Sequence, residues 1–214
     1  MPHRREEQKA MTRQAIITAA AAEFAVRGFE ATTYSSIAAA MGKQKSAVGY
    51  HHFASKEEIA LAVVAEQRQR WSAIVERVEA ATEPGLVRLF VLLLDAVEDA
   101  REHALARATV RLLVEARTVG LVFPRSPFGW RAAVQQQVQT AIDAGVIPAG
   151  ASAEALTARL LNASFGVFEV ENRGLQPADT VANLRALWAD LLSAAGVADA
   201  GSVIAEAGGL TRTR

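Results

Sequence analysis

Apolar side chains recur every three or four residues along most of this chain, which is the spacing that places them on one face of an α-helix. The first run predicts a helix from about Thr12 to Arg27, which Gly28 ends. We expect the basic arm before Thr12 and the last turn of the tail after Gly196 to fray. Later runs predict six further long helices, at about 56–81, 84–100, 104–118, 130–144, 152–172 and 177–195. The pattern therefore predicts an all-α fold.

Two short helices around a tight turn are predicted between residues 32 and 56. Thr33 can cap the first helix, because its hydroxyl can accept a hydrogen bond from a backbone N–H of the first turn. Gly42 suits the left-handed geometry that often ends a helix. A polar run over residues 43–46 then opens the second helix. A short helix with outward donors fits the DNA major groove while its predecessor crosses the backbone, as in a helix-turn-helix motif.

The residues that follow predict a third helix. Ser55 and Glu58 have capping-box spacing at its start. Lys56 lies in its first turn, where its ammonium and the terminal N–H groups can both face a phosphate. The apolar stripe continues to about Ala81. This helix is therefore long enough to connect a DNA-binding head to a larger body.

These residues resemble the N-terminal domain of the tetracycline-repressor (TetR) family of transcriptional regulators. That family usually has one residue fewer between the turn glycine and the closing phenylalanine, so Gly49 resembles an insertion, which a helix can absorb as a π-bulge. Lys43 stands where the family generally has an apolar residue. The residues that carry the resemblance are Ile16, Ala20, Phe24, Gly28, Phe29, Thr32, Thr33, Ile37, Ala38, Gly42, Tyr50, His52, Phe53, Ser55, Lys56, Glu57 and Ile59.

The resemblance implies a three-helix helix-turn-helix DNA-binding domain over residues 1–55, including its basic N-terminal arm, and a helical ligand-binding and dimerisation domain over residues 56–214. It also implies a homodimer in which the last two long helices of each copy form a four-helix bundle. Operator geometry makes the same demand, because two heads must reach half-sites about one turn apart. We expect contacts with double-stranded DNA from Thr33, Lys43, Gln44, Lys45, Ser46, Tyr50, His51 and Lys56.

The body has a second, narrower resemblance. Residues 107–134 are similar to the matching region of the γ-butyrolactone receptors, a TetR subgroup that senses bacterial lactone or furan signals. The shared elements are Arg107 and Arg111, a loop rich in valine and proline, and Trp130 just after it. The resemblance implies that Trp130 forms a wall of a mostly apolar pocket. It also implies that Gln67 and Ser164 face the effector. The candidate ligand-binding residues are Gln67, Phe90, Leu93, Trp130, Ser164, Phe165 and Phe168.

Each candidate also has a purely structural interpretation. Aromatic residues at helical spacing belong to a core more often than to a pocket. A serine within an apolar helix, such as Ser164, often bonds back to its own backbone, and Gln67 can be a surface residue. The apolar stripes of the last two long helices can cover this chain's own core instead of a partner. The periodicity does not distinguish these alternatives.

The net charge is zero, but its distribution is uneven. Residues 1–56 carry eight Lys or Arg against four Glu, so the remainder of the chain is acidic. A basic head on a neutral-to-acidic body is typical of a DNA-binding protein. The run from Arg4 to Lys9 is equally consistent with a solvated face.

Motifs of other functional classes are absent from the sequence. There is no cysteine, which excludes disulfides and cysteine metal sites. No apolar stretch approaches the roughly 18 residues of a membrane span and no signal-peptide core is present, so we expect a soluble, cytoplasmic protein. No phosphate loop, dinucleotide fingerprint or nucleophile elbow occurs, and His51 and His52 are adjacent, unlike helical metal ligands. We expect no enzyme activity, cofactor or metal.

Together these features predict a ligand-responsive repressor that a small apolar effector, such as a γ-butyrolactone, releases from a palindromic operator. The main alternative is a TetR-type repressor of an efflux or metabolic gene that answers another apolar molecule. A pseudo-receptor that binds DNA but answers another metabolite also fits. A helical ligand carrier with a degenerate head is the remaining alternative, if the Gly49 insertion abolishes DNA binding.

Overall fold

The computed structural model describes residues 2–48, 52–126, 129–172, 174–175 and 179–212. Within these ranges the regular structure is helical and no β-strand occurs, which confirms the all-α fold. None of the helices described is both long and apolar enough to cross a lipid bilayer. The α-helices are α1 (Pro2–Ala31), α2 (Tyr34–Ala40), α3 (Lys56–Ala81), α4 (Leu86–Glu102), α5 (Ala104–Val119), α6 (Trp130–Asp143), α7 (Ala153–Asn172), α8 (Thr180–Ala194) and α9 (Ala200–Arg212).

The chain packs as two compact units. The first unit contains Met1–Trp71 and Glu98–Ser126, and the second contains Ser72–Val97 and Pro127–Arg214. This division differs from the predicted boundary after residue 55, because α5 shares a hydrophobic core with α1 and with the first half of α3. A functional boundary at residue 55 stays a prediction.

The core of the first unit lies between α1, α2, α3 and α5. Phe24 of α1, Ile37 of α2 and Leu112 of α5 are all fully buried in it. Phe53, just before α3, is buried in the same core. The short helices of the motif therefore share one core with α5, which lies far along the chain.

Trp188 of α8 is fully buried in the second unit. Its ring centroid lies 5.4 Å from that of Phe90 in α4. The periodic pattern does not predict α9, although α9 belongs to this unit. Asp199 Oδ1 caps α9 by accepting a hydrogen bond from the Ser202 N–H (3.2 Å), and Ile204 is buried. The last two residues of the tail, where we expected fraying, lie outside the described residues.

The limits predicted for the other long helices hold within a few residues, because local caps determine them. Ser152 Oγ accepts a hydrogen bond from the Ala155 N–H (3.2 Å) at the start of α7. Gly120, in the left-handed region at φ 72°, ends α5. The start of α8 is later than predicted, since Asp179 caps it, and Pro177 lies outside the described residues.

The predicted basic arm is helical instead of frayed. α1 begins at Pro2, and residues 3–27 contain neither Gly nor Pro. Most of residues 4–11 are strong helix formers. Thr12, the predicted start, lies inside the helix, and its Oγ1 donates back to the Gln8 carbonyl (2.9 Å). Apolar periodicity misses this segment because residues 4–11 are exposed and bury no stripe.

Gly28 interrupts α1 near its C-terminus, as predicted. Its φ of 75° and ψ of −177° lie in a region that is essentially restricted to glycine. A Cβ at this position would also lie 2.5 Å from Oε1 of Glu115. Gly28 therefore ends the main part of α1 and lets a side chain of α5 approach its backbone closely.

Gly28→Ala should lower the free energy of unfolding by about 3 kcal/mol, because it strains the backbone and displaces the Glu115 side chain. Gly42→Ala is the matched control: its φ of 64° is also positive, but a Cβ there meets no atom within 4 Å. We expect the control to lose only about 1 kcal/mol, with both variants measured by urea unfolding. Equal losses at the two positions would contradict the close approach of Glu115 to Gly28.

Candidate functional sites

Local hydrogen bonds fix both ends of α2. Thr33 Oγ1 accepts from the Ser36 N–H, and Ser36 Oγ accepts from the Thr33 N–H, both at 3.1 Å. At the other end Gly42 has a φ of 64°, and the Lys43 N–H donates to the Ala38 carbonyl (2.9 Å). These contacts confirm the predicted cap at Thr33 and the predicted turn at Gly42. The geometry of the turn is therefore set by residues next to it in sequence.

The second element of the motif is shorter than predicted in the residues that the structure describes. A 3₁₀ turn covers Lys45–Val48, where the polar run predicts the start of an α-helix. Val48 is fully buried and anchors this turn to the core. Gly49, Tyr50 and His51 lie outside the described residues. The insertion at Gly49 and the DNA contacts expected from Tyr50 and His51 therefore stay predictions.

Four consecutive polar side chains form an exposed surface beside the turn. They offer ammonium, amide and hydroxyl donors. Lysine can donate to guanine O6 and N7, and glutamine can pair with adenine N6 and N7. Thr33 is exposed as well, although its hydroxyl is engaged in the cap. We call the four residues the reader run: Lys43, Gln44, Lys45 and Ser46.

Lys56 has a structural role that the sequence does not predict. Its Nζ donates to three backbone carbonyls at the C-terminal end of α1, those of Phe29 (2.8 Å), Glu30 (3.2 Å) and Thr32 (2.9 Å). It also lies 4.4 Å from the centroid of the Phe29 ring. Carbonyls at a helix end lack intrahelical partners, and an ammonium has three donors. Without DNA the three donors of this ammonium are used by the protein backbone, and a phosphate contact from Lys56 stays a prediction.

The start of α3 is capped as predicted, which fixes the position of Lys56. Ser55 Oγ accepts from the Glu58 N–H (3.2 Å), and Glu58 Oε2 accepts from the Ala54 N–H (2.5 Å). Hydrogen bonds from the backbone at Glu57 and from the Ser55 hydroxyl, with a smaller effect of Lys56, lower the pKa of the Glu57 carboxyl. The carboxylate is thus the favoured form in this first helical turn.

The two arginines of α5 that the sequence singles out both cap other helices. Arg107 Nη1 donates to the Ala100 carbonyl (2.8 Å) near the end of α4. Arg111 Nη1 donates to the Val26 carbonyl (2.8 Å) near the end of α1. Their four-residue spacing places them on one face of α5. The motif therefore has a structural explanation, which is to hold two helix ends against α5.

Glu115 completes the contact between α5 and α1. Its Oε1 accepts from Arg111 Nε and its Oε2 accepts from the Phe29 N–H, both at 2.8 Å. One carboxylate thus joins a cation of α5 to the backbone just after the break in α1. We call Lys56, Arg111 and Glu115 the α1 clamp. Together they attach the end of α1 to both α3 and α5.

Gln67 of α3 is buried within the first unit, at 0% exposure, so its interpretation as a surface residue is wrong. Its Nε2 donates to Asp99 Oδ2 (2.5 Å), and Asp99 Oδ1 accepts from Arg70 Nη2 (2.8 Å). Its Oε1 has no hydrogen-bond partner. A buried acceptor without a donor is costly, so this oxygen is suited to receive a hydrogen bond from a ligand.

Ser164 of α7 is engaged within the second unit. Its Oγ donates to the Leu160 carbonyl (2.7 Å) and accepts from Trp188 Nε1 (2.9 Å). The structural interpretation therefore fits Ser164, because the hydroxyl positions the central tryptophan instead of facing an open space. Three further candidates are buried in the second unit: Phe90, Leu93 and Phe168.

Trp130 and Phe165 are the two aromatic candidates of the second unit that are not fully buried. Trp130 is half-buried at the first position of α6, and Phe165 of α7 is 41% exposed. The loop before α6 is held at two points, since Leu121 is buried and Arg68 Nη1 donates to the Pro124 carbonyl (2.8 Å). Residues 127–128 lie outside the described residues.

A groove of about 420 Å³ lies between α7 and α8 in the second unit. Its lining includes Val167 and Val170 of α7 and Leu187 of α8. The apolar stripe of α8 divides in two: Leu184 and Trp188 are buried in the core, whereas Leu187 stays partly exposed. The core interpretation therefore holds for Leu184 and Trp188, and the partner interpretation of the exposed part stays a prediction.

Comparison with protein families gives a match to the bacterial regulatory proteins of the tetR family over residues 16–63. The matched segment contains the capped α2, the glycine turn, the reader run and the start of α3. Residues 16–63 are therefore similar to the N-terminal DNA-binding domain of the TetR family. No curated protein matches the sequence significantly.

Solved TetR-family regulators share the fold over nearly the whole chain. A γ-butyrolactone receptor (ArpA-like protein) is 24% identical, with 97% of this chain and 100% of that chain covered and a TM-score of 0.79. CprB from Streptomyces coelicolor, solved with its biological operator sequence, is 25% identical, with the same coverage and a TM-score of 0.78. SmeT, the repressor of the Stenotrophomonas maltophilia efflux pump SmeDEF, is 21% identical, with 85% of this chain and 89% of that chain covered and a TM-score of 0.64.

Lys56→Met tests whether this lysine of the TetR-type head acts on α1 or on DNA. We expect the free energy of unfolding to fall by about 2 kcal/mol, because charge-assisted hydrogen bonds are lost. The slope of log affinity for DNA against log salt should stay unchanged. Lys45→Met, at an exposed position, is the control; it should preserve stability and reduce the slope by about 0.9. A stable Lys56→Met protein with a reduced slope would restore the phosphate role.

Proposed function

We propose that this TetR-family DNA-binding transcriptional regulator is a ligand-responsive repressor, which a γ-butyrolactone-like effector releases from a palindromic operator. The observation that carries the proposal is the reader run, four exposed donor-rich residues directly after a helix that is capped at both ends. Rigid caps matter because base readout requires donors in fixed positions. The likeness to CprB, which is solved with its operator, supports DNA as the partner.

We infer a homodimer from the second unit. The partly exposed part of the α8 stripe and the groove beside it offer apolar surface on α7 and α8. Phe165 adds a large exposed apolar side chain on α7, and exposed apolar patches often mark interfaces. A twofold dimer would carry two reader runs. Two such heads suit half-sites about one DNA turn apart.

The effector class rests on two features besides the likeness to a γ-butyrolactone receptor. Trp130 keeps exposed indole surface, which is suited to pack against a small apolar ring. Gln67 keeps a buried acceptor oxygen without a partner, which is suited to an effector hydroxyl. Each feature supports the proposal within its own unit, Gln67 in the first and Trp130 in the second.

The α1 clamp offers a route by which the effector changes DNA binding. α3 contributes both Gln67 and Lys56, so a shift of α3 on effector binding would move the end of α1. α5 holds the same helix end through Arg111 and Glu115. A preference of the effector for the DNA-incompetent state by about 1–3 kcal/mol is enough to reduce affinity some 5- to 150-fold.

The direct test is an electrophoretic shift of the purified protein on DNA from beside its own gene, with and without a γ-butyrolactone. We expect a specific shift that the lactone releases. A shift that lactones leave unchanged would reject the effector class. It would favour the alternative, a TetR-type repressor that responds to another apolar molecule. The likeness to SmeT keeps that alternative open. The absence of any shift at low salt would reject the repressor itself.

Trp130→Ala should raise the lactone concentration that releases half of the operator by at least tenfold, because an aromatic wall of the effector site is lost. Operator affinity without effector should remain within about twofold, since Trp130 lies outside the matched head. Val122→Ala, which truncates a side chain that is 84% exposed, serves as the control. Normal release of Trp130→Ala by the lactone, with unchanged thermal unfolding, would remove Trp130 from the effector site.

A further inference from the structure

The helical start of α1 arranges three of its cations at a regular interval. Arg5, Lys9 and Arg13 are four residues apart, so they lie along one side of the helix. All three are exposed. We call them the basic stripe. A rise of 1.5 Å per residue gives it a length of roughly 12 Å.

The basic stripe continues the side of α1 that packs on the motif. Four residues after Arg13, Ile17 is buried in the core of the first unit. Arg13 itself lies over the ring of Phe53, with its guanidinium carbon 4.6 Å from the ring centroid. Phe53 directly follows the helix-turn-helix segment. The stripe thus starts at the motif and leaves it along a rigid helix, drifting by about 40° for every four residues.

We propose that the basic stripe is a second DNA-contact surface, which binds backbone phosphates beside those near the reader run. The inference rests on the proposed function, because it requires operator binding. Its length of roughly 12 Å corresponds to the axial rise of three to four base pairs at about 3.4 Å each, so Arg5 and Lys9 can reach separate phosphates. Contacts of this kind position a protein on the duplex and carry no sequence information.

Charge complementarity selects DNA as the partner. The same unit carries the exposed Lys43 and Lys45 of the reader run, so the stripe adds to the positive charge of a unit that already presents exposed cations. Glu6 borders the stripe, three residues before Lys9, and reduces its charge locally. Arg4 points to the opposite side of the helix, about 170° away from the packed side by the 100° turn per residue. The stripe therefore predicts opposite effects at Glu6 and Lys9 and no effect at Arg4.

The test measures operator affinity by fluorescence anisotropy between 50 and 200 mM salt in the full chain. Arg5→Gln and Lys9→Gln should each lower the slope of log affinity against log salt by about 0.9 and the affinity by roughly tenfold at 100 mM. Glu6→Gln should raise the affinity severalfold. Arg4→Gln, which removes the same charge within the same turn, is the matched control. Its salt slope and its operator affinity should equal those of the parent protein.

Gln8→Pro tests the rigidity of the arm. It keeps every charge, but proline in a helix interior disrupts the preceding turn, so Arg5 should lose its position and the slope should fall as in Arg5→Gln. Because residues 4–11 are exposed, thermal unfolding should not change in any of these variants.

Three results would overturn the proposal. An Arg4→Gln slope that falls as far as that of Arg5→Gln would show that only total charge matters. If the slope of log affinity against log salt in Gln8→Pro equals that of the parent protein, the arm is flexible and does not act as a rigid stripe. Unchanged slopes in Arg5→Gln and Lys9→Gln would reject the stripe while leaving the repressor intact. A parent protein that binds no DNA at low salt would overturn both the stripe and the proposed function.

Discussion

The first unit depends on how the free carbonyls at the end of α1 are satisfied. A helix end leaves its last carbonyls without intrahelical partners, and the break at Gly28 exposes an N–H as well. Lys56 of α3 and Arg111 of α5 supply cations to these carbonyls, and Glu115 accepts from the Phe29 N–H. Cations at a helix C-terminus also interact favourably with the helix dipole. The α1 clamp thus joins three helices that are far apart in sequence.

This arrangement explains how the DNA-binding surface is divided among residues. Lys56 holds α1 and α3 together, and the phosphate contacts that we propose are assigned to other cations of the head. The reader run does not belong to the α1 clamp, and the local caps on α2 fix its position. The helical arm extends from the opposite end of α1. One helix therefore carries a structural end, held by the clamp, and an exposed basic end.

Features that depend on near neighbours in sequence could be predicted, and features that depend on distant partners could not. The caps at Thr33 and Ser55 act within three residues, and the turn at Gly42 is closed by a hydrogen bond between Lys43 and Ala38, which are neighbours along the chain. Lys56 instead bonds to carbonyls 24–27 residues away, and Ser164 bonds to Trp188 24 residues away. Spacing alone cannot reveal those partners.

The candidate sites divide in the same way. The exposed reader run was predictable from its polarity, and the 3₁₀ turn that begins at Lys45 was not, because a 3₁₀ turn and an α-helix share sequence preferences at this length. Among the candidate ligand residues, periodicity could identify buried positions but not their contacts. The helical arm escaped prediction because it buries no apolar stripe, although its helix propensity is high.

Hydroxyl-radical footprinting on DNA from beside the gene tests the central claim, a twofold DNA-binding regulator, most directly. The account predicts two protected segments related by a dyad, with centres one helical turn apart, about 10 base pairs, or a multiple of it. A single protected segment without a symmetric mate would contradict the dimer. The absence of protection at low salt would contradict the assignment of the reader run to DNA.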